Sequence, residues 1–547
     1  MAKTVTRRDP RKGRGLFAAD EIPRGSVIVT AEPFAYVITP STSPPSVESV
    51  QMRRCSGCLK EATPGRRLLR CGRCKAVAFC GAACQSVAWR VHRWECSAIQ
   101  AVHPRCPTPS LRLLVQIISR LLVGDGGSSS TLTLDSFMAL KGDPDGLTDG
   151  QKEGFAAVSC LAEKMLRATS VGNRCPAQTT LLAALCKVSC NAFSICDEEL
   201  RPVGLGFYPD AAVLNHSCLP SCVATFAGLR LTVRTLADLT PDTELTISYL
   251  DVADTAEGRR RYLKEQYFFE CSCPLCHTHD QAPLQGVVDA FLVKPLTGSF
   301  RPTYTAPTGD LLSSAWEHLQ RTVLCDHDSL QTSSHSSSGN GWDWRWPCEW
   351  RGRRLIAADM DEARQKWGRQ EGGWSRLEES LAQSAVYEVA TTTRQEPSGR
   401  VDEGLIGVLE DRVAAARQGS ACACGEQQIR AITHDLMGTG ASFHPAYLRL
   451  HRLRESWLQH LISVEAFAEA APVALTTLPA YRALYGAQSP LFGLQLFLTA
   501  KILSACGETS KADALMRRAF EVLRVCCGAD HELCDKARDL LGQLQAG

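Results

Sequence analysis

Cysteine and histidine residues recur at short, regular spacings near the start of this sequence. Zinc binds four such ligands in a tetrahedron, and steps such as C-x2-C or H-x3-C hold two of them on one turn. Eight ligands at these spacings predict two closed zinc sites, so that the segment would fold only with metal bound. Chance clustering of buried thiols is the alternative. The candidate ligands are Cys55, Cys58, Cys71, Cys74, Cys80, Cys84, His92 and Cys96.

A second cysteine group lies much further along the chain. Cys271, Cys273 and Cys276 have the spacing C-x-C-x2-C, and Cys218, in the sequence Asn-His-Ser-Cys, is a plausible fourth ligand. Together they predict a third zinc site. The first two sites would use seven cysteines and the third four, which is eleven of the 26 in the chain. Most of the others are expected to be small, buried hydrophobic residues.

The cysteine content also bears on the cellular compartment. The N-terminal residues MAKTVTRRDPRKGRG contain no apolar signal core, and no run of about 18 apolar residues could span a membrane. We therefore expect a reducing compartment, the cytoplasm and the nucleus, in which thiols stay free or bind metal. We expect a monomer with no membrane partner.

Positive charge is concentrated on the first cysteine-rich segment. The whole chain has a formal net charge of +2, whereas residues 51–96 contain ten Lys or Arg and two Glu, a formal +8. Seven thiolates and two zinc ions would add −3 and leave about +5. This charge favours an acidic partner or DNA. A solvated basic face is the alternative, because no aromatic ladder for base stacking accompanies it.

The elements that must position these ligands are short strands followed by helices. With 547 residues, the chain is too long for one core and should form about three or four units. Helical periodicity predicts helices between about 99 and 190, and a helix over 257–267 leads to the second cysteine group. The β-rich runs that predict strands are 15–18, 26–29, 35–38, 223–226, 229–233 and 245–247.

The sequence from about 281 to 547 predicts helices, including 490–503 and 510–525, with Gly507 and Gly528 as C-terminal stops. Two-helix units of about 35 to 40 residues are similar to tetratricopeptide-type (TPR-like) repeats. Residues 326–375 are rich in serine and glycine, then in tryptophan and arginine, and are expected to be a disordered insertion. A tryptophan-arginine binding motif and translated non-coding sequence are the alternatives.

The order of the motifs resembles that of a known family. Lys12-Gly13-Arg14-Gly15-Leu16 precedes the cysteine ladder, and three motifs follow it: Asn215 to Cys218, Glu244 to Asp251 (ELTISYLD) and Gln266 to Cys271 (QYFFEC). Apart from the insertion, the chain resembles the SET and MYND domain (SMYD) protein-lysine methyltransferases, most closely the third member described in vertebrates. The resemblance implies S-adenosylmethionine as the methyl donor and lysines of histones or other proteins as acceptors.

The resemblance also implies a multidomain α+β fold with a split, β-rich SET domain. The implied segments are the SET N-terminal part (1–50), a MYND zinc finger (51–98), a helical insert (99–190), the SET core (191–250), a cysteine-rich post-SET zinc loop (251–280) and an all-α TPR-like domain (281–547).

The pairing of the metal ligands follows from the same resemblance. MYND ligands alternate along the chain, so one zinc would take Cys55, Cys58, Cys80 and Cys84, and the other Cys71, Cys74, His92 and Cys96. Cys218 with Cys271, Cys273 and Cys276 would hold the third. That third site would place Tyr267 and Phe269 over the active site.

For the reaction, the resemblance implies a lysine channel and a donor pocket. The Tyr249 hydroxyl would orient the acceptor amine, and Phe193 and Tyr267 would line the channel; taken alone, each would more often be a core aromatic. His216 invites the role of general base, but the resemblance gives it backbone contacts and packing instead. The residues implied to contact the donor are Lys12, Gly13, Arg14, Gly15, Asn191, Leu214, Asn215, His216, Tyr249 and Phe269.

Rival functions stay open. The presence of Tyr249, Asn215, His216 and Cys218 together favours the methyltransferase. The alternative is a MYND-based adaptor that recruits proline-rich or acidic partners and has a weak or inactive SET core. A zinc-dependent DNA-binding protein is a third hypothesis. The C-terminal helices are further expected to dock an acidic tail such as that of the Hsp90 chaperone.

Overall fold

Two compact units make up the part of the chain that the computed structural model describes. The first contains the strands and helices up to residue 249, the segment that carries Tyr267 and Phe269, and residues 526–533. The second contains most of the C-terminal helices. The predicted insertion at 326–375 lies outside the described residues, which are 3–9, 12–39, 53–62, 67–124, 132–142, 144–273, 275–276, 312, 315–316, 319, 403–418, 426–439 and 448–546.

The strands of the first unit are short and rich in β-branched and aromatic residues, which fit a half-buried pleated surface. All the runs that predicted strands lie in or overlap one. The strands are β1 (Thr4–Asp9), β2 (Gly13–Ala18), β3 (Val27–Ala31), β4 (Ala35–Ile38), β5 (Leu69–Arg70), β6 (Ala78–Phe79), β7 (Ala192–Cys196), β8 (Pro202–Phe207), β9 (Asn215–His216), β10 (Cys222–Ala227), β11 (Arg230–Thr235) and β12 (Glu244–Ile247).

These strands form four small sheets, with the orders β1-β2-β12-β9, β10-β11-β3, β4-β8-β7 and β5-β6. The β9 and β12 strands run parallel, with Asn215 opposite Thr246 and His216 opposite Ile247. All other pairs are antiparallel. The parallel pair places the Asn215-His216 dipeptide beside the strand end from which Tyr249 follows.

Among the helices that precede the C-terminal region, α3 (Pro109–Val123) packs against the strands β4 and β8, and its sequence shows why it forms. Thr108 caps its first turn by accepting a hydrogen bond from the Leu111 amide, Pro109 begins it, and Gly124 ends it with φ 83°. The predicted helical stretch before residue 190 is confirmed. The helices are α1 (Ala82–His92), α2 (Cys96–Ala101), α3 (Pro109–Val123), α4 (Leu134–Met138), α5 (Asp149–Arg167), α6 (Gln178–Asn191) and α7 (Ala256–Tyr267).

The second unit is helical. The predicted apolar face of Leu450, Leu453, Trp457 and Leu461 is buried, and the two helices predicted after residue 489 are confirmed. Gly507 has φ 78°, as its predicted role as a stop requires. The C-terminal helices of the chain are α8 (Glu403–Gln418), α9 (Glu426–Thr439), α10 (Leu448–Ser463), α11 (Phe467–Tyr485), α12 (Pro490–Ala505), α13 (Thr509–Cys527) and α14 (Glu532–Ala546). None of the described helices is long and apolar enough to cross a membrane.

Residues 526–533, between α13 and α14, belong to the first unit. His531 Nε2 lies 3.1 Å from the carbonyl oxygen of Phe226 in β10. Gly528 has φ 97°, and a Cβ there would lie only 2.4 Å from Arg234 Nη2 of β11. The turn between the last two helices thus packs against the strands.

Candidate active site and metal groups

Three groups of cysteine and histidine residues are close enough together to bind metal. Within each group, all ligand atoms lie within 4.8 Å of one another. A tetrahedral zinc ion with bonds of about 2.3 Å holds its sulfur ligands about 3.8 Å apart. Cys71 Sγ lies 3.8 Å from Cys96 Sγ and Cys58 Sγ 3.7 Å from Cys80 Sγ, so the residues fit zinc.

The membership of the groups agrees with the pairing that the family resemblance implies. They are Cys55, Cys58, Cys80 and Cys84, hereafter the outer group; Cys71, Cys74, His92 and Cys96, hereafter the inner group; and Cys218, Cys271, Cys273 and Cys276, hereafter the third group.

The chain reverses direction after each C-x2-C step of the first two groups. Leu59 has φ 62° and Lys75 has φ 58°, and their amides donate to the carbonyl oxygens of Cys55 and Cys71 at 2.9 and 3.0 Å. The left-handed residue and the hydrogen bond close a tight turn around each C-x2-C step. The adjoining helix α1 then brings its own ligands to them.

The imidazole of His92 is held between a thiol and a carboxylate. Nε2 lies 3.3 Å from Cys74 Sγ, and Nδ1 lies 2.9 Å from Glu95 Oε1. Arg112 of α3 donates to both Glu95 oxygens, at 2.8 and 2.7 Å. Burial would raise the pKa of Glu95, but the positive charge of Arg112 lowers it to about 2. The ionised carboxylate therefore orients the ring so that Nε2 faces the metal position.

His216 connects the third group to Tyr249. Its Nδ1 accepts a hydrogen bond from the Tyr249 amide at 3.0 Å, so the ring hydrogen belongs on Nε2, which lies 3.1 Å from Cys218 Sγ. With both ring nitrogens engaged in this way, His216 orients its neighbours, and the geometry gives it no general-base function.

Three aromatic rings surround the end of β12. The Tyr249 and Tyr267 rings are 4.9 Å apart, and Phe269 lies 6.5 Å from Tyr249 and 6.0 Å from the His216 ring, centroid to centroid. The Tyr249 hydroxyl donates to the carbonyl oxygen of Leu214 at 2.5 Å. The Tyr267 hydroxyl donates to the backbone carbonyl oxygen of Tyr249 at 3.2 Å.

Both phenols stay protonated at neutral pH. Burial, and then the nearby Tyr267, raises the pKa of Tyr249. Burial also raises the pKa of Tyr267. Each hydroxyl therefore offers a fixed hydrogen bond to a carbonyl and keeps its oxygen lone pairs for another group.

Phe193, the third aromatic that the sequence assigned to the lysine channel, lies on β7 opposite Gly206. Its ring packs edge-on against Tyr208 with centroids 5.8 Å apart, and a Cβ on Gly206 would lie 2.6 Å from the same tyrosine. The structure thus groups Tyr249, Tyr267 and Phe269, and it sets Phe193 against a core tyrosine.

The glycine-rich segment at the start of β2 lies against Asn215. The Asn215 amide donates to the Arg14 carbonyl at 3.1 Å and to Glu244 Oε1 at 2.8 Å. A Cβ on Gly15 would lie 2.9 Å from the same amide nitrogen, so any larger residue there would push the Asn215 side chain away. Lys12 forms a 2.5 Å ion pair with Glu244.

Asn191 is linked to the glycine-rich segment through Lys141. Its amide nitrogen donates to the carbonyls of Lys141 and Lys187, at 2.9 and 2.8 Å. The Lys141 side chain in turn runs past Gly13, whose φ is +86° and whose added Cβ would meet Lys141 Cε at 3.0 Å. Sequence analysis missed Lys141, because the glycines around it obscured the alignment of this region with the family. It also missed Glu244, whose only signal was its place as the first residue of the ELTISY motif.

A SET-domain family model matches residues 13–250. Histone-lysine N-methyltransferase SMYD3 from Mus musculus is 36% identical over 315 residues, which cover 57% of this chain and 69% of that protein. The chain belongs to the SMYD family of SET and MYND domain lysine methyltransferases. SMYD3 from Homo sapiens is 35% identical over 272 residues, 50% of this chain and 60% of that protein.

A plant relative matches over a longer stretch. Histone-lysine N-methyltransferase ASHR1 from Arabidopsis thaliana is 28% identical over 525 residues, 95% of this chain and 90% of that protein. The predicted SMYD resemblance is therefore confirmed. SET methyltransferases use S-adenosylmethionine, and the matched range contains Asn215, His216 and Tyr249.

Proposed function

We propose that this protein transfers a methyl group from S-adenosylmethionine to lysine side chains of histones or other proteins. The observation that carries the proposal is the environment of Tyr249. Its amide is fixed by His216, its hydroxyl is fixed by the Leu214 carbonyl, and two aromatic rings flank it. Such preorganisation suits a reaction that depends on positioning.

The donor pocket is proposed to lie between the glycine-rich segment and the β9 strand. Gly13 and Gly15 allow the backbone to approach a ligand closely, and Asn215 and Asn191 hold the walls on either side. Lys12 and Arg14 add positive charge beside a donor that carries a carboxylate. Leu214 and His216 would contact the donor through their backbone atoms, and Phe269 would offer an aromatic face to the adenine ring.

The acceptor lysine is proposed to enter beside Tyr249 and Tyr267, and the family resemblance alone adds Phe193 to this channel. Aromatic walls exclude water, and desolvation lowers the pKa of the lysine amine so that more of it is neutral. The neutral amine attacks the methyl carbon in line, the new N–C bond forms as the S–C bond breaks, and the extra proton leaves to water. The sulfonium donor supplies an already activated methyl group.

The finer arrangement follows the family pattern. We propose that residues 51–98 form the MYND finger, 251–280 the post-SET loop and 281–547 a TPR-like domain that selects protein substrates or takes an acidic chaperone tail such as that of Hsp90. The three groups of metal ligands would each hold one zinc ion. Action on histones and other proteins places the enzyme in the nucleus and the cytoplasm.

The decisive experiment is Tyr249→Phe. Removing the hydroxyl should lower kcat at least about a hundredfold, the effect of losing one preorganised polar group, with zinc content and donor affinity near wild type. The matched control is Tyr36→Phe, because the buried Tyr36 hydroxyl also donates to a carbonyl, that of Ser56 at 2.9 Å, away from this site. If Tyr249→Phe turned over at the wild-type rate, the proposed role of Tyr249 in methyl transfer would be wrong.

An adaptor role is the second candidate, because the outer surface of the cysteine-rich segment exposes apolar side chains. Leu69 is 61% exposed, Val87 49% and Trp89 42%. Apolar residues set among arginines suit a proline-rich or acidic partner. If Leu69→Ser with Trp89→Ser abolishes partner capture but not methyl transfer, the adaptor role accompanies the enzyme activity.

A further inference from the structure

Phe268, between two residues of the proposed site, has an unusual backbone conformation. Its φ is +60°, a left-handed conformation that is unfavourable for a bulky residue and persists only where the surroundings impose it. Tyr267 precedes it and Phe269 follows it. The rings of both flanking residues lie near the Tyr249 ring, with centroids 4.9 and 6.5 Å away.

The Phe268 ring rests on a glycine from another part of the chain. Gly146 ends a single 3-10 turn, Pro144–Gly146. A Cβ on Gly146 would lie 2.9 Å from Phe268 Cδ1 and 3.3 Å from its Cβ and Cγ. Because the Phe268 Cβ is bonded to the backbone, the ring cannot simply swing away from an added methyl group. The chain at Phe268 would have to move.

The same region makes a second contact with the end of α7. Gln151 caps the start of α5, where its Oε1 accepts a hydrogen bond from the Thr148 amide at 2.9 Å. Its Nε2 donates to the carbonyl oxygen of Glu265 at 3.3 Å. The turn before α5 and the first turn of α5 thus hold residues 265–268 at two points.

We propose that Gly146 and Phe268 form a clasp that positions Tyr267 and Phe269 for binding of the methyl donor. Both are positioning residues, since neither is assigned a contact with the donor. The clasp holds Phe268 in a conformation that it would otherwise leave, and the two neighbouring rings keep their places with it. The role in donor binding rests on the proposed function.

The test is Gly146→Ala in the full-length, zinc-loaded protein. The added methyl group should displace Phe268 by a few tenths of an ångström, and the donor-binding rings with it, so we expect S-adenosylmethionine to bind about three- to tenfold more weakly. The KM for the donor should rise more than kcat at saturating donor falls. Calorimetry and steady-state rates measure these, with zinc content and Tm as checks of folding.

The matched control is Gly150→Ala. Gly150 lies four residues away in α5, and a Cβ there would meet nothing within 4 Å. Donor affinity should stay at the wild-type value. A Gly146→Ala variant that binds the donor as tightly as Gly150→Ala would overturn the clasp.

A double-mutant cycle separates the clasp from general damage. Phe268→Gly removes both the ring and the Cβ that the new methyl group would meet, so Gly146→Ala should cost no further donor affinity in that background. Equal losses in both backgrounds would show that Gly146 acts without Phe268 and would overturn the proposal.

Hydrogen exchange in the donor-free protein tests the clasp apart from the proposed function. Amides of residues 265–269 should exchange faster in Gly146→Ala than in Gly150→Ala whether or not the wild type methylates lysine. Unchanged exchange would overturn the clasp and leave the methyltransferase proposal standing. Faster exchange in a protein that binds no S-adenosylmethionine would support the clasp and refute its role in donor binding.

Discussion

Two buried histidines, one in each unit, have opposite surroundings. In the first unit, His92 is bonded through Glu95 to Arg112, and all three side chains are at most 4% exposed. In the second unit, His451 of α10 is 2% exposed, yet neither ring nitrogen has a hydrogen-bond partner among the described residues. His92 is therefore fixed by hydrogen-bonded partners, whereas His451 is fixed by the packing of the side chains around it.

Other residues extend the contrast. Asp197, just after β7, accepts hydrogen bonds from Arg54 at 2.8 Å and Arg201 at 3.0 Å, and also from two backbone amides. The His451 ring instead packs edge-on against Tyr481 with centroids 5.3 Å apart. Paired charges make the first unit sensitive to the loss of a single partner, whereas apolar packing should tolerate substitutions that keep volume and shape.

The largest effect is expected from Arg112→Met, which leaves the Glu95 carboxylate buried without its cation. Breaking a buried pair on one side costs about 3–5 kcal/mol, so the free energy of unfolding should fall by that order. Zinc should also leave the inner group faster, because Glu95 would no longer be fixed against His92. Denaturant unfolding and the rate of zinc transfer to a chelator measure the two effects.

The double variant Glu95→Gln with Arg112→Met provides the control. Neutralising both partners should restore part of the stability that the single change removes. A single Arg112→Met variant as stable as the wild type would break the comparison.

A smaller loss is expected from Asp197→Asn. Hydrogen bonds to a charged group contribute about 1.5–3 kcal/mol, and the asparagine amide would face two guanidinium groups. The control is Asp242→Asn, which removes an exposed ion pair with Arg7 and should change stability by less than about 1 kcal/mol. Equal losses in chemical denaturation would show that burial of the pair is not what matters.

The smallest effect at neutral pH is expected from His451→Phe, because an apolar ring of similar shape replaces a group without hydrogen-bond partners. Burial, and then Arg454 and Arg452, lowers the pKa of His451 to about 3. Below pH 6.5 the unfolded chain therefore binds a proton that the folded protein excludes, and wild-type stability falls as the pH falls. Relative to wild type, His451→Phe should gain about 2 kcal/mol between pH 7 and pH 5.

Denaturant titrations at the two pH values measure this gain, and the exposed His434 of α9, changed to Phe, is the control. The carboxylate of Glu455 lies 3.6 Å from His451 Nε2. An acid sensitivity of His451→Phe equal to that of wild type would mean that this carboxylate accommodates the protonated ring.

The sequence predicted what depends on local spacing. The C-x2-C steps, the α3 periodicity and the strand at 35–38 needed only neighbouring residues. It did not reveal the Glu95 to Arg112 pair, since their contact joins the residue before α2 to a residue of α3, and no spacing rule relates the two. The β1 strand was also missed, because its sequence TVTRRD lacks the apolar alternation of a half-buried strand.

The candidate site shows the same division. The motifs brought attention to Asn215, His216 and Tyr249, which the structure places together. The sequence assigned Asn191 to the donor pocket, and it gave no sign that the Asn191 amide hydrogens bond the carbonyls of Lys141 and Lys187, one of them 50 positions away. The left-handed turn at Phe268 had no signal, because its support is a glycine distant in sequence.

The contact between His531 and Phe226 has a consequence for the newborn chain. The two residues are 305 positions apart, and a ribosome adds about 5–20 residues per second, so roughly 15–60 s pass between their syntheses. Throughout that interval the β10 carbonyl lacks the imidazole that will cover it. Translation that stops short of residue 526 therefore releases a first unit that lacks one of its own segments.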